Sequence, residues 1–363
     1  MRKSTIAAAV LIPIIAVASG LATYYGLKYI WTQESGGTGG GTTPEQDNGG
    51  ATPFFGSAPD VVVTLSVPDA YLGDYPPATF TVTNTGDPCT VSYTIFQTAP
   101  QTGSFSLGKG ESKTVNATGL QVRDIGTWST SVQITASNSY GSDTAQASSS
   151  FNVDVMPFDA TPYINLNVVQ QAVIEFSELI NGVLVRLWDW AGHPADGYKT
   201  FFVTPDSQTV QVITTRLINR HPNDRELQAK EIYYWVRNWI SYKEDEVWIL
   251  PGTDLKIVKN IFDYTQAELP IETLYDREGV CINYSLVLAS MYKAAGFNVR
   301  LVTLQNDDGE GHAINMLYLP DSTDVRHSPG YPGWVTLDAT NNAIFGEIHE
   351  WINSFQHVDI AEI

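Results

Sequence analysis

Residues 269–296 read LPIETLYDREGVCINYSLVLASMYKAAG. The stretch decides the fold around it, because it delivers a cysteine through a turn onto the first turn of an apolar helix. Gly279 permits a tight approach and Val280 opens an apolar run, after which Tyr284, Val287, Leu288 and Met291 recur at helical spacing. Gly296 supplies a C-terminal stop. A thiol at a helix N-terminus faces unpaired N–H groups and the positive end of the helix dipole, a placement that favours the nucleophilic thiolate. Cys281 is therefore the first candidate for chemistry.

A cysteine nucleophile needs a base within hydrogen-bond reach and a third group to orient that base. Of the six histidines, His193, His221, His327, His349 and His357 lie beside prolines, in loops or in the tail. His312 instead opens a strand-like run, GHAINMLYL, just after a polar turn, and Asp338 ends the run GWVTLDAT. In an antiparallel pair the start of one strand neighbours the end of the next. His312 and Asp338 can thus meet at one sheet edge, and a helix packed there would add Cys281. Taken singly, each residue has a structural reading: a buried small hydrophobe, a core histidine, a turn-capping aspartate.

The chain of 363 residues has room for two globular domains plus extensions. Its formal net charge of -19 and its lack of a basic patch argue against nucleic acid as a partner. Two cysteines, Cys89 and Cys281, make no disulfide scaffold, and no Cys/His cluster has ligand spacing, so neither a metal nor another cofactor is expected.

Arg2 and Lys3 precede an uncharged apolar run from Ser4 to Leu27, with Tyr24, Tyr25, Tyr29 and Trp31 around its far end. At about 1.5 Å per residue this run crosses a bilayer. The expectation is a transmembrane signal anchor over 1–31, with the N-terminus cytoplasmic and the rest extracellular. A secretory signal cleaved after Ala16-Val17-Ala18 is the alternative. Residues 32–59, rich in Gly and Thr, read as a flexible linker. Residues 60–156 carry short Val/Thr/Ser runs between turn signals, which predicts a β-sandwich of about seven strands. Such a domain serves as a spacer or binds a surface protein or glycan. Cys89 is expected to pack as a small hydrophobe there. Asn116-Ala117-Thr118 fits a glycosylation acceptor.

From Pro157 the patterning turns helical. Amphipathic segments are expected over 166–190 and 225–242, the second capped by Asp224, then an irregular connection over 247–266. Strand-like runs follow over 298–304, 313–319 and 333–338, and a helix-like segment over 347–355 closes the fold or covers the site.

The region from about Phe202 to Thr340 resembles the transglutaminase-like superfamily, a branch of the papain-like thiol enzymes. The resemblance rests on FVTPDSQTV, IYYWVRNWISY, PIETLYDREGVCINYSLVLASMYKAAGFNVRLV, GHAINM and GWVTLDAT, in family order. Residues 60–156 resemble the Ig-like repeats of prokaryotic surface proteins, and the acidic, Thr-rich exported style suggests an archaeal source. The fold class expected is thus multidomain: an N-terminal transmembrane helix, an all-β Ig-like sandwich, and an α+β transglutaminase-like domain over 157–363. The resemblance implies Cys281 as nucleophile, His312 as general base and acid, and Asp338 as its orienter. It implies acyl transfer on protein amide bonds through a thioester, with peptide hydrolysis favoured over cross-linking. The alternative is a non-catalytic surface scaffold. Two departures stand out. Asn283 and Tyr284 occupy positions where an acidic or aromatic residue is usual, and Glu268 stands where many relatives place an oxyanion-holding glutamine. Gln266, Glu268 and Trp248 are the weaker candidates for lining that part of the site.

Overall fold

The computed structural model describes residues 56–363 apart from 97–99, 120, 176, 181–182, 187–198, 244–247, 259–266, 308–310, 323–324, 341–343 and 348–354. The anchor expected over 1–31 and the linker expected over 32–59, as far as residue 55, lie outside the described residues. Among the described residues no helix is long and apolar enough to cross a membrane.

The first part of the described chain alternates in the manner of half-buried strands: β1 (Val61–Ser66), β2 (Ala70–Tyr71), β3 (Thr79–Asn84), β4 (Cys89–Phe96), β5 (Gln101–Leu107), β6 (Ser112–Asn116), β7 (Gly126–Asn138) and β8 (Gly141–Asp154). They form two sheets, of order β1-β3-β6 and β2-β8-β7-β4-β5. Period-two patterning turns Phe80, Val82, Val91, Ile95, Val132 and Ile134 into one core, which Cys89 joins as a free buried thiol. The intervening Ser and Thr face outward, as in Thr81 and Thr114, whose hydroxyls meet at 2.8 Å across β3 and β6.

The remainder mixes helices and short strands: α1 (Leu166–Glu175), β9 (Ser177–Ile180), β10 (Val183–Arg186), α2 (Gln208–Ile218), α3 (Arg225–Trp239), β11 (Ser241–Tyr242), β12 (Trp248–Ile249), β13 (Lys256–Val258), α4 (Pro270–Asp276), β14 (Glu278–Gly279), α5 (Cys281–Ala294), β15 (Val299–Gln305), β16 (Gly311–Tyr318), β17 (Trp334–Leu337) and β18 (His357–Glu362). The helix expected over 166–190 ends at Glu175. The sequence then turns to strand formers around an Asn-Gly pair, and β9 and β10 pair antiparallel with Ile180 opposite Val183. The helix expected to reach Tyr242 stops at Trp239, where β11 leaves to pair in parallel with β14. The connection expected to be irregular over 247–266 contains β12 and β13, an antiparallel pair. Of the helix-like segment expected over 347–355, residues 348–354 lie outside the described residues.

The sheet that concerns the site has the order β17-β16-β15-β18 and is antiparallel throughout. α5 packs against β15 and β16. It buries Tyr284, Val287, Leu288 and Met291, the residues whose spacing marks it as a helix, in a core shared with α2 and α3.

That core also takes in Leu72, Val155 and Ala160, so the sandwich and the helical part share one hydrophobic cluster. Polar contacts reinforce the joint. Asp224 caps α3 by accepting from Leu227 N–H at 3.0 Å and receives a bidentate Arg123 guanidinium at 2.7 and 3.2 Å. The Lys230 ammonium, 1% exposed, donates to the Arg123 carbonyl at 2.8 Å and pairs with Glu226 at 2.9 Å and Asp124 at 3.4 Å. Trp235 Nε1 donates to Phe158 O at 3.0 Å. Removing the cation takes its charge partner from Glu226 Oε1, on a side chain 9% exposed, and from Asp124, 28% exposed. Lys230→Met is expected to cost about 3–5 kcal/mol, read as a lower urea midpoint. A change under about 1 kcal/mol, the size of an exposed pair, would show that water reaches this joint.

Candidate active site

The approach to Cys281 is stapled on both sides. α4 ends at Arg277, the one non-glycine among the described residues with positive φ, at 58°. Its guanidinium carbon lies 3.8 Å from the centroid of a Trp239 ring and its Nη2 3.7 Å from Asp159. β14 then pairs with β11, and at its second residue, Gly279, a Cβ would come within 2.8 Å of Asn283 Cβ. Glycine is needed for that approach. Val280 is the extended N-cap and Cys281 the first residue of α5. The sulfur therefore stands at the positive end of a 14-residue helix, half-buried, on a helix whose next eleven residues, Ile282 through Tyr292, are buried.

His312 occupies the second position of β16, opposite Leu304 on β15. Asp338 directly follows β17, the neighbour of β16 on the other side. Their side chains meet with His312 Nε2 3.0 Å from Asp338 Oδ2. His312 also hydrogen-bonds Cys281. With Nε2 engaged by the carboxylate, Nδ1 is the ring nitrogen left for the sulfur. The order sulfur, imidazole, carboxylate is thus assembled from a helix start, a strand start and a strand end.

Asp338 is 2% exposed. Its Oδ1 accepts from Thr340 N–H at 3.1 Å and from Thr340 Oγ1 at 2.6 Å, and its carbonyl accepts from the Tyr233 hydroxyl at 2.8 Å. Burial pushes its carboxyl pKa up, but the bond and charge of His312 and the Thr340 bonds outweigh burial and hold it below the usual value. For His312, burial acts to lower the pKa. The hydrogen bonds to Asp338 and Cys281 and their charges oppose it and raise the imidazole to about 9. On one side the ring is stacked by Phe355, 6.5 Å between centroids with planes 21° apart.

Glu268 is 2% exposed. Its Oε2 accepts from Thr273 Oγ1 at 3.0 Å and from Asn283 Nδ2 at 2.8 Å. The two departures from the family pattern are therefore one contact, which ties α4 to the first turn of α5. Burial, and after it the charges of Glu272 and Asp276, push the Glu268 carboxyl well above the usual carboxylate range. Gln266 lies outside the described residues. Trp248 opens β12, and its side chain is not among those described. Tyr233, Thr340 and Phe355 are the neighbours of the site that sequence reading missed. Thr340 had a signal, the Asp-x-Thr pattern of a side-chain-closed turn, and the other two had none.

Residues 213–339 match the family model of the transglutaminase-like superfamily. The chain carries a transglutaminase-like domain. The matched span contains Cys281, His312 and Asp338. No curated protein matches the chain. Among solved structures, a candidate cysteine protease from Cytophaga hutchinsonii is similar at 13% identity over 76% of this chain and 86% of that one, with a TM-score of 0.27. The CARDB domain of a Pyrococcus furiosus protein, crystallised with di-metal ions, is similar at 17% identity over 28% of this chain and 97% of its own, TM-score 0.21. The PKD domain of an M14-like peptidase from a Thermoplasmatales archaeon is similar at 11% identity over 28% and 99%, TM-score 0.21. A two-sheet β-sandwich precedes the transglutaminase-like domain.

A histidine that ordinarily titrates near 6.5 and is raised to about 9 in the fold stabilises the native state in its protonated form. That stabilisation is fully present below about pH 6.5 and is lost as pH rises through about 9. Its size is about 3 kcal/mol. Urea unfolding at pH 6 and pH 9.5 should show the wild type losing most of its advantage over His312→Gln between the two. Parallel pH dependence in both proteins would contradict the raised titration.

Proposed function

We propose that the protein is a membrane-anchored extracellular thiol enzyme that hydrolyses peptide bonds, with Cys281, His312 and Asp338 as nucleophile, acid–base and orienter. The observation that carries this reading is the bond of His312 Nε2 to Asp338, which leaves the other ring nitrogen to the cysteine at a helix N-terminus.

In the first half-reaction the Cys281 sulfur attacks the amide carbonyl carbon and a C–S bond forms. The oxyanion is met by the Cys281 N–H, which has no acceptor within the helix at this position. His312, protonated, gives its proton to the nitrogen as the C–N bond breaks, and the amine product leaves. In the second, water gives a proton to neutral His312 and its oxygen attacks the thioester. The C–S bond breaks, the acid product leaves and the thiol–imidazole pair is restored. Asp338 keeps the ring oriented and its charge favours the imidazolium. A lysine amine in place of water would complete a cross-link by the same steps.

The N-terminal apolar run supports the anchored, outward-facing placement, and the Ig-like domain offers a surface for a protein or glycan partner. The test uses the full chain with an unfolded protein substrate and a fluorescent primary amine. New N-termini without amine incorporation are expected, abolished in Cys281→Ala and slowed about 10²–10⁴-fold in His312→Ala, the usual worth of a general acid–base. Amine incorporation in place of cleavage would transfer the reading to cross-linking. Equal turnover in wild type and Cys281→Ala would end it.

A further inference from the structure

Two adjacent tyrosines on α3, both fully buried, hold different parts of the molecule. Tyr233 donates to the Asp338 carbonyl at 2.8 Å. Tyr234 donates to Asp124 Oδ1 on the sandwich and accepts from Phe345 N–H at 3.0 Å. The tyrosine rings stand edge to face, 5.2 Å apart at 74°, and the Phe345 ring packs edge-on to Tyr233 at 5.5 Å and 87°. Burial above all pushes both phenols far up, so each remains a neutral donor at working pH. The segment bearing Asp338 is thus pinned at residue 338 and again at residue 345. The second pin is held from the sandwich side. Asp124 itself is fixed by Lys230 at 3.4 Å, next to Arg123 with its bidentate hold on Asp224.

We propose that the sandwich is part of the catalytic unit, and that its Asp124 is a positioning residue for the His312–Asp338 pair, acting through Tyr234 and Phe345. This rests on the reading of that pair as the working acid–base. The sandwich is then no passive spacer, since the carboxylate that orients the imidazole takes its backbone position partly from another domain.

The readout is the titration of the His312 ring by NMR in the full-length, ¹³C-histidine-labelled protein, its signal assigned through His312→Gln. The titratable groups hydrogen-bonded to the ring are Asp338 and Cys281, so the midpoint reports the pair's geometry whether or not the protein turns over a substrate. Tyr234→Phe keeps the ring and removes only the two hydroxyl contacts. Its His312 midpoint is expected to fall by about one pH unit, as for a weakened bond to a carboxylate, and Asp124→Ala should do the same. Asp124→Asn keeps an oxygen for the Tyr234 hydroxyl and should retain the wild-type midpoint while losing stability beside Lys230. Folded Tyr234→Phe with an unchanged midpoint would overturn the proposal, and it decides the matter even where Asp124→Ala does not fold. A wild type that cleaves no peptide while its His312 midpoint falls in Tyr234→Phe would defeat the peptidase reading and leave this one standing.

Discussion

Helix α3 has almost no wet face. Residues Glu226 through Val236 are buried without interruption, and they include Glu226, Gln228, Lys230 and Glu231 alongside Tyr233, Tyr234 and Trp235. A helix in that position must answer every polar group from within the protein, since an unpaired one costs more than its bond would gain. The surrounding elements are arranged as those answers. Glu231 takes Arg220 at 2.5 Å and His221 at 3.3 Å. Lys230 takes the sandwich loop, Gln228 donates to the His221 carbonyl at 2.8 Å, and the tyrosines take Asp124 and the Asp338 carbonyl. The location of the sandwich and the placement of Asp338 both follow from satisfying one helix.

The candidate site was legible because its three members each sit at an element boundary that local sequence marks. A glycine, an extended valine and a helical apolar run place Cys281; a polar turn before a strand places His312; the end of a short aromatic strand places Asp338. Antiparallel pairing of β16 with β17 does the rest. What escaped the sequence is what depends on distant partners. β9 and β10 lie inside a stretch that also scans as an amphipathic helix, and their pairing decides between the two. β18 is half exposed and gains its identity from β15. The seven-residue α4 lies where the sequence read as a turn, and its start is closed by Glu272 Oε2 accepting from Leu269 N–H at 2.7 Å. No local pattern says that Tyr233 and Tyr234 serve different domains.

The pair Glu268 and Asn283 carries the same lesson at the scale of two side chains. In sequence they are separate departures, fifteen residues apart. In space the Asn283 amide donates to Glu268, and the carboxyl is buried where its neutral form is favoured. Both residues therefore belong to the seam between α4 and α5 that fixes the start of the cysteine helix.

The buried ion pairs on α3 also bear on the environments the protein tolerates. A chain with net charge -19 carries a surface field that dissolved ions screen over about 10 Å at 0.1 M and about 3 Å at 1 M. Lys230 is 1% exposed and Glu226 9%, so their attraction runs mostly through protein. Added ions reach the acidic exterior and quiet its self-repulsion, and they reach the partly exposed Arg123–Asp224 pair, while the Lys230–Glu226 pair between the sandwich and the transglutaminase-like domain is largely shielded from them. Dilute water and brine thus present very different coats to the same internal clamp.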